Sequence, residues 1–230
     1  GTGYANGRSV YVGAYAGSET GSTGNIYNTC VGYLSGQRNR AYCTTIGYLA
    51  GRGYYNPTSG QRGTSALGYQ AGYHNYSFYN DYNTYVGYRS GITNSQGDYN
   101  IHIGYQAWSV SASQNNQISI GREARSTTSC ISIGYRAGMT IQTSSTNSIQ
   151  IGYEAGYQLN GSDDNVLIGY RAGYGLSTGN ILTGVGKQSL YSNTSGNVNV
   201  AYGPNSLYNT TSGSSNVGLG YYGGNAISTG

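Results

Sequence analysis

The phrase Ile-Gly-Tyr-x-Ala-Gly-Tyr occupies residues 151–157 and returns 17 residues later at 168–174. No other feature restricts the fold as strongly, because the echo runs from end to end. Taking the Gly of each aliphatic-Gly pair as an anchor gives Gly13, Gly32, Gly47, Gly68, Gly87, Gly104, Gly121, Gly134, Gly152, Gly169, Gly186, Gly203 and Gly220. These thirteen units are spaced by 13 to 21 residues, and 17 is the spacing in six of the twelve intervals. A chain that repeats itself at such a period is built from one supersecondary unit, stacked so that each copy buries its surface against the next.

The columns of the repeat are sharper than its length. One residue before the anchor (position −1) the chain is aliphatic in every unit except at Tyr202, and at position −3 it is β-branched in every unit except at Ser65. Two such residues, stiff at Cβ and two apart, share one face of a short strand. The position between them holds residues as different as Cys30, His102, Gln150 and Leu167, which reads as an outward face. At +3 only Ala, Ser or Gly occurs, the mark of a tight interior. Tyr stands at +1 in nine of the thirteen units, including Tyr33, Tyr48, Tyr69, Tyr153 and Tyr170.

No helical stripe is present, and 40 glycines would cost a helix dearly. Antiparallel hairpins would alternate two strand patterns, whereas here every unit carries the same one. The columns therefore predict an all-β fold, a parallel β-solenoid of about thirteen coils of roughly 17 residues, with two short strands per coil and one domain over residues 1–230. Coils stacked ~4.8 Å apart would make a rod roughly 60 Å long. Equivalent side chains then form ladders, with Asn28, Asn83, Asn100, Asn165, Asn199 and Asn216 in one column, where amides are expected to bond between coils. The tyrosines named above form another. The first and last units look as internal as the rest, with no polar cap, so end-to-end stacking on further coils is expected.

Composition enters as a list of exclusions. Disordered chains are poor in aromatic and β-branched residues, and this one holds 28 tyrosines. Its formal charge of +4 comes from 11 scattered basic residues, without the patch that nucleic acid requires. No run of 18 apolar residues exists, so no membrane insertion is expected. Of the three cysteines, Cys30 and Cys43 fall in neighbouring coils but different columns. A disulfide between them stays open as an option, while Cys130 has no evident mate. Glycosylation sequons begin at Asn75, Asn160, Asn193 and Asn209.

Motifs for chemistry are sparse. Residues 218–223 satisfy G-x-G-x-x-G, but no helix follows, so the match is the thirteenth repeat rather than a nucleotide site. His74 and His102 lack a nucleophile and carboxylate in register and read as surface or turn residues. Asp163 and Asp164 form a carboxylate pair in a single spacer, a solvated turn in preference to a calcium site. Arg89, Arg136 and Arg171 share the +2 column with Gln70, Gln106, Glu123 and Glu154, a mixture expected of a solvated face. No catalytic residue, metal or cofactor is expected, and the chain does not read as an enzyme.

With the columns laid out, "NTYVGYRSG" (83–91) and "NVLIGYRAGY" (165–174) resemble two repeat families. One is the head of YadA-like trimeric autotransporter adhesins, which is a parallel β-roll. The closer is the Tyr/Gly-rich array of tail-fibre-like surface proteins in bacteria and phages, whose spacer is similar to "LYSNTSGNVNVAYG" and "LYNTTSGSSNVGLG" near the C-terminus. The resemblance covers nearly all 230 residues. It implies an extracellular cell-surface or virion fibre, a homo-oligomer or self-polymer with a structural role. The alternative it carries is an adhesin or tail-fibre shaft that binds a glycan or a cell-surface receptor. No neck or coiled-coil stalk accompanies the repeats.

Overall fold

The β-branched and aliphatic residues at −3 and −1 make each repeat a three-residue strand that stops at its anchor glycine. In the computed structural model, which describes residues 8–18, 27–53, 60–73, 79–92, 96–142 and 144–225, the described residues are all-β and contain no helix. The fold is a parallel β-solenoid. One unit, residues 1–116, carries the strands Val10–Val12, Thr29–Val31, Thr44–Ile46, Ser65–Leu67, Thr84–Val86 and Ile101–Ile103. A second, residues 117–230, carries Ile118–Ile120, Ile131–Ile133, Ile149–Ile151, Val166–Ile168, Thr183–Val185, Val200–Tyr202 and Val217–Leu219. Within each unit successive strands pair in parallel with no register slip: Val166 faces Thr183, Leu167 faces Gly184 and Ile168 faces Val185.

The anchor is glycine for two reasons. From Gly13 to Gly203 its φ lies between 122° and 139°, outside the range that L side chains adopt readily. A Cβ on Gly169 would also lie 2.4 Å from the carbonyl oxygen of Gly186 in the next coil, and one on Gly152 would meet Gly169 at 2.3 Å. Anchors stack backbone on backbone, leaving no room for a side chain.

The segment after the anchor departs from the expected second strand. It is a turn, because +2 is left-handed in every coil (Leu34 at φ 51°, Arg89 at 52°, Arg171 at 54°) and +4 is a left-handed Gly in most. Only where +4 is Trp108 or Arg125 does the chain extend, into the two-residue strands Trp108–Ser109 and Arg125–Ser126. A further parallel pair, Gly60–Arg62 with Tyr79–Asp81, lies in the spacers. Coil-to-coil bonding continues through the turns: the Arg171 N–H donates to the Tyr153 carbonyl at 2.8 Å and the Gly173 N–H to that of Ser189 at 2.8 Å.

The facing of the strands is the reverse of the sequence expectation. The variable −2 position points inward and is buried in every strand but the first; Cys30, Tyr85, His102, Gln150 and Leu167 are all fully covered. The uniform −3 and −1 positions are buried in none of the thirteen strands. The reason is the narrowness of the coil. Opposite −2 stand the small +3 residue and the +4 glycine, and a Cβ on Gly91 would fall 2.1 Å from the Tyr85 ring. Where −2 is large, as at Tyr85 and Leu167, the facing +3 and +4 positions are small enough to admit it. Where −2 is Gly184, the +4 residue of the same coil is Leu190, and a Cβ on Gly184 would sit 3.1 Å from the Leu190 Cδ1. Ala201 with Leu207 repeats the exchange one coil later. The variability of −2 is volume compensation within the core, not exposure.

Candidate functional site

The sheet carries −3 and −1 outward as two adjacent columns of Val, Ile, Thr and Leu, interrupted only by Ser65 and Tyr202, with no charged residue in any coil. In the inner coils neighbours above and below half-bury them, while Val10, Val12, Leu67 and Leu219 are each about half exposed or more (Leu219, 68%). This neutral band of aliphatic and Thr side chains is dictated by the repeat, and the inward assignment of these columns concealed it.

Tyrosine ladders run alongside. In the first unit Tyr33, Tyr48, Tyr69, Tyr88 and Tyr105 stack at centroid distances of 5.4, 5.2, 5.2 and 5.2 Å. In the second, Tyr135, Tyr153 and Tyr170 stack at 4.9 and 5.2 Å. A further column at +5 holds Tyr157, Tyr174, Tyr191 and Tyr208, spaced 5.0, 5.3 and 4.9 Å. The pairs Tyr27–Tyr42 and Tyr82–Tyr99 stack at 5.3 Å each, in a left-handed column at −5. These rings lie nearly parallel, so each offers solvent its edge and hydroxyl rather than its face.

From Asn28 to Asn199 the Asn column is buried and links coils, though not amide to amide. Asn165 Oδ1 accepts the N–H of Leu182 (2.9 Å) and its Nδ2 donates to the Gly179 carbonyl (3.2 Å), both in the next coil. Asn28 does the same with the Cys43 N–H and the Arg40 carbonyl, Asn83 with Asn100 and Gly97, and Asn199 with Asn216 and Gly213. Asn100 Nδ2 donates to the Gln114 carbonyl at 2.9 Å. The carboxamide thus matches a backbone donor and acceptor that the inward turn strands. Asn216, in the last described coil, has its Nδ2 buried with no partner among the described residues.

A second polar ladder, at −6, has no counterpart in the sequence reading. Asp98 Oδ1 accepts the Asp81 N–H at 2.7 Å, Asp163 Oδ1 the Thr146 N–H at 2.6 Å, Asn180 Oδ1 the Asp163 N–H at 2.6 Å and Asn197 Oδ1 the Asn180 N–H at 2.8 Å. Asp163 is therefore tied into the coil stack, and its neighbour Asp164 occupies the left-handed −5 column. The recurrence of Asp or Asn six before the anchor was the available signal. Among the described residues no three His, Cys, Asp or Glu side chains gather to hold a metal, and no helix is long and apolar enough to cross a membrane.

The +2 column is more ordered than a solvated mixture. Arg136 Nε bonds Glu123 and Arg171 Nε bonds Glu154, each at 2.7 Å and each across one coil step. The hydrogen bond from Arg136 holds the Glu123 carboxyl below the usual carboxylate range. Arg171 also lies over Tyr170 and Tyr174, at 5.3 and 5.2 Å from their centroids.

His102 is fully buried at −2, not on the surface. It stacks on Tyr85 at 5.7 Å, its Nε2 lies 3.2 Å from Ser109 Oγ, and desolvation lowers its pKa to about 3. Both side chains of the pair are buried away from solvent. Cys30, Cys43 and Cys130 are buried free thiols; Cys30 lies at −2 and Cys43 at −4, and burial pushes the Cys43 thiol up to about 12. Of the sequons, Asn160 and Asn209 are exposed, whereas Asn193 is fully buried and closed to a glycosyl donor in the fold. Asn75 and His74 lie outside the described residues. Residues 218–223 begin in the strand Val217–Leu219 and run into a turn, not a helix. No family model, curated protein or solved structure matches this chain.

Proposed function

We propose that this chain is a structural segment of an extracellular fibre, a β-solenoid extended by end-to-end stacking. The observation that supports this most is self-complementarity. Each coil presents upward the groups that it receives from below: strand N–H and C=O groups, anchor carbonyls and the Asn carboxamide, all in unshifted register. A coil of this kind is a template for another, whichever chain supplies it. Asn83, Asn100, Asn165 and Asn199 each donate to a carbonyl 14 residues on, in the following coil, so the same side chain serves every coil step. The placement outside the cell rests on the likeness to surface and tail-fibre repeats. Glycan binding by ring stacking draws less support, since the tyrosine ladders spend their ring faces on each other.

Cryo-electron microscopy of the purified chain tests the proposal. Stacking predicts unbranched filaments with an axial layer line near ~4.8 Å. Discrete particles of one or a few chains at every concentration would contradict it.

A further inference from the structure

We infer that the outward face formed by the −3 and −1 columns is a lateral docking surface for a second copy of the same solenoid, laid sheet against sheet. The inference rests on the proposed end-to-end stacking, for a reason of area. Strands ~4.8 Å apart and a band about 10 Å wide offer roughly 50 Å² per coil. The six strands of the first unit and the seven of the second therefore offer roughly 300 and 350 Å². A stable pairwise interface needs about 800 Å² from each partner, more than either unit holds. Stacked filaments add area with every coil, so pairing too weak for single chains becomes strong along a fibre.

Three properties of the face select a copy of itself as the occupant. The first is period. Side-chain ridges repeat once per coil without slip from Ile131 through Ile149 to Val166, so only a partner with the same axial spacing meshes over many coils. The second is the absence of charge. No Arg or Glu stands at −3 or −1 in any coil, and at +2 the pairs Arg136–Glu123 and Arg171–Glu154 satisfy each other. Nothing on the sheet face calls for a charged partner, and nothing repels a like one. The third is stiffness. β-Branched side chains on a strand lose little rotamer freedom on packing, which is what dry sheet-to-sheet interfaces exploit. Two such faces would lie about 10 Å apart.

The test compares filaments of the wild-type chain with those of a variant carrying Leu67→Lys and Val200→Lys, both at exposed positions of the face. A second variant, Leu67→Thr with Val200→Thr, keeps the face neutral and uses the β-branched residue that −3 already carries at Thr29, Thr44, Thr84 and Thr183. Filaments and their lateral pairing are scored by cryo-electron microscopy and by X-ray scattering for an intersheet spacing. The expected result is paired or bundled wild-type filaments and unchanged pairing in the threonine variant. The lysine variant should form filaments of normal internal structure whose paired fraction falls on the order of tenfold. Wild-type filaments that stay single would overturn the lateral inference and leave end-to-end stacking intact. Pairing undiminished in the lysine variant would place the contact on another face and overturn it equally. A complete failure of the wild type to form filaments would overturn both.

Discussion

Leu190 and Gly184 divide one space between them. At Tyr85, His102 and Leu167 the large inward side chain comes from −2, but here it comes from +4, with Leu190 fully buried in a left-handed conformation at φ 52°. Leu190→Gly should empty the coil and cost about 2–4 kcal/mol, part of the cavity penalty being offset by relief of the backbone. Gly184→Leu alone should overpack and cost about 1–3 kcal/mol. Together they restore the common pattern, so chemical denaturation of the double-mutant cycle should show coupling above about 1 kcal/mol. Strict additivity would refute the exchange.

His102 is the other informative residue, being buried and neutral. Its folded pKa is about 3 against 6.5 for the free side chain. The unfolded chain binds the extra proton first, so the stability from keeping His102 neutral is fully present above pH 6.5 and is lost as pH falls from there toward 3. By pH 5, above most carboxylate titration, the loss should be about 2 kcal/mol. His102→Gln, a residue that the column accepts at Gln150, should flatten that slope. An equal slope in the variant would assign the effect to another group.

At the scale of the element, the strand and the turn are held by different means. The strand is fixed by ladder bonds and tolerates many residues at −2. The inward turn before it needs an acceptor and a donor at once, and asparagine meets both needs in Asn28, Asn83, Asn165 and Asn199. Asn165→Ala should cost about 2–4 kcal/mol by stranding the Leu182 N–H and the Gly179 carbonyl. Asn165→Asp should recover part of that, since it keeps the acceptor. Thermal unfolding that ranks Asp below Ala would argue that burying the charge outweighs the bond.

The strands, their register, the Asn column and the tyrosine stacks were legible because each depends on residue type at a fixed distance from the anchor. Their facing was not. Aliphatic columns at −3 and −1 read as a core in any protein with a thick interior, and this interior is narrow and filled from −2 and from the turns. The glycine at +4 was the clue: Gly17, Gly36, Gly72 and Gly91 each give way to the ring, sulfur or side chain at −2. The left-handed columns were hidden for another reason. Val198 and Ile181 adopt φ 56° and 58° against their own preference, held by donation to the Asn180 and Asp163 carbonyls of the previous coil. Local propensity does not record a conformation that the stack imposes.

For the whole molecule, the consequence is a solenoid whose interior mixes Leu with Ala, Ser and Asn and whose uniform Val, Ile and Thr columns lie on its outer sheet. Stability then comes chiefly from coil-to-coil hydrogen bonds, ring stacks and tight packing, and the outer columns remain available for association. Pairing across the sheet depends on that inverted facing. The facing is tested most directly by thiol accessibility in the native protein. Cys30, Cys43 and Cys130 are buried, so the folded wild-type chain should leave a thiol reagent almost unconsumed. Single replacements Val166→Cys, Leu167→Cys and Ile168→Cys sample the two faces of one strand. The account predicts rapid native-state labelling at 166 and 168 and protection at 167, matching that of Cys30 at the same column. Fast labelling at 167 with protection at 166 and 168 would contradict it.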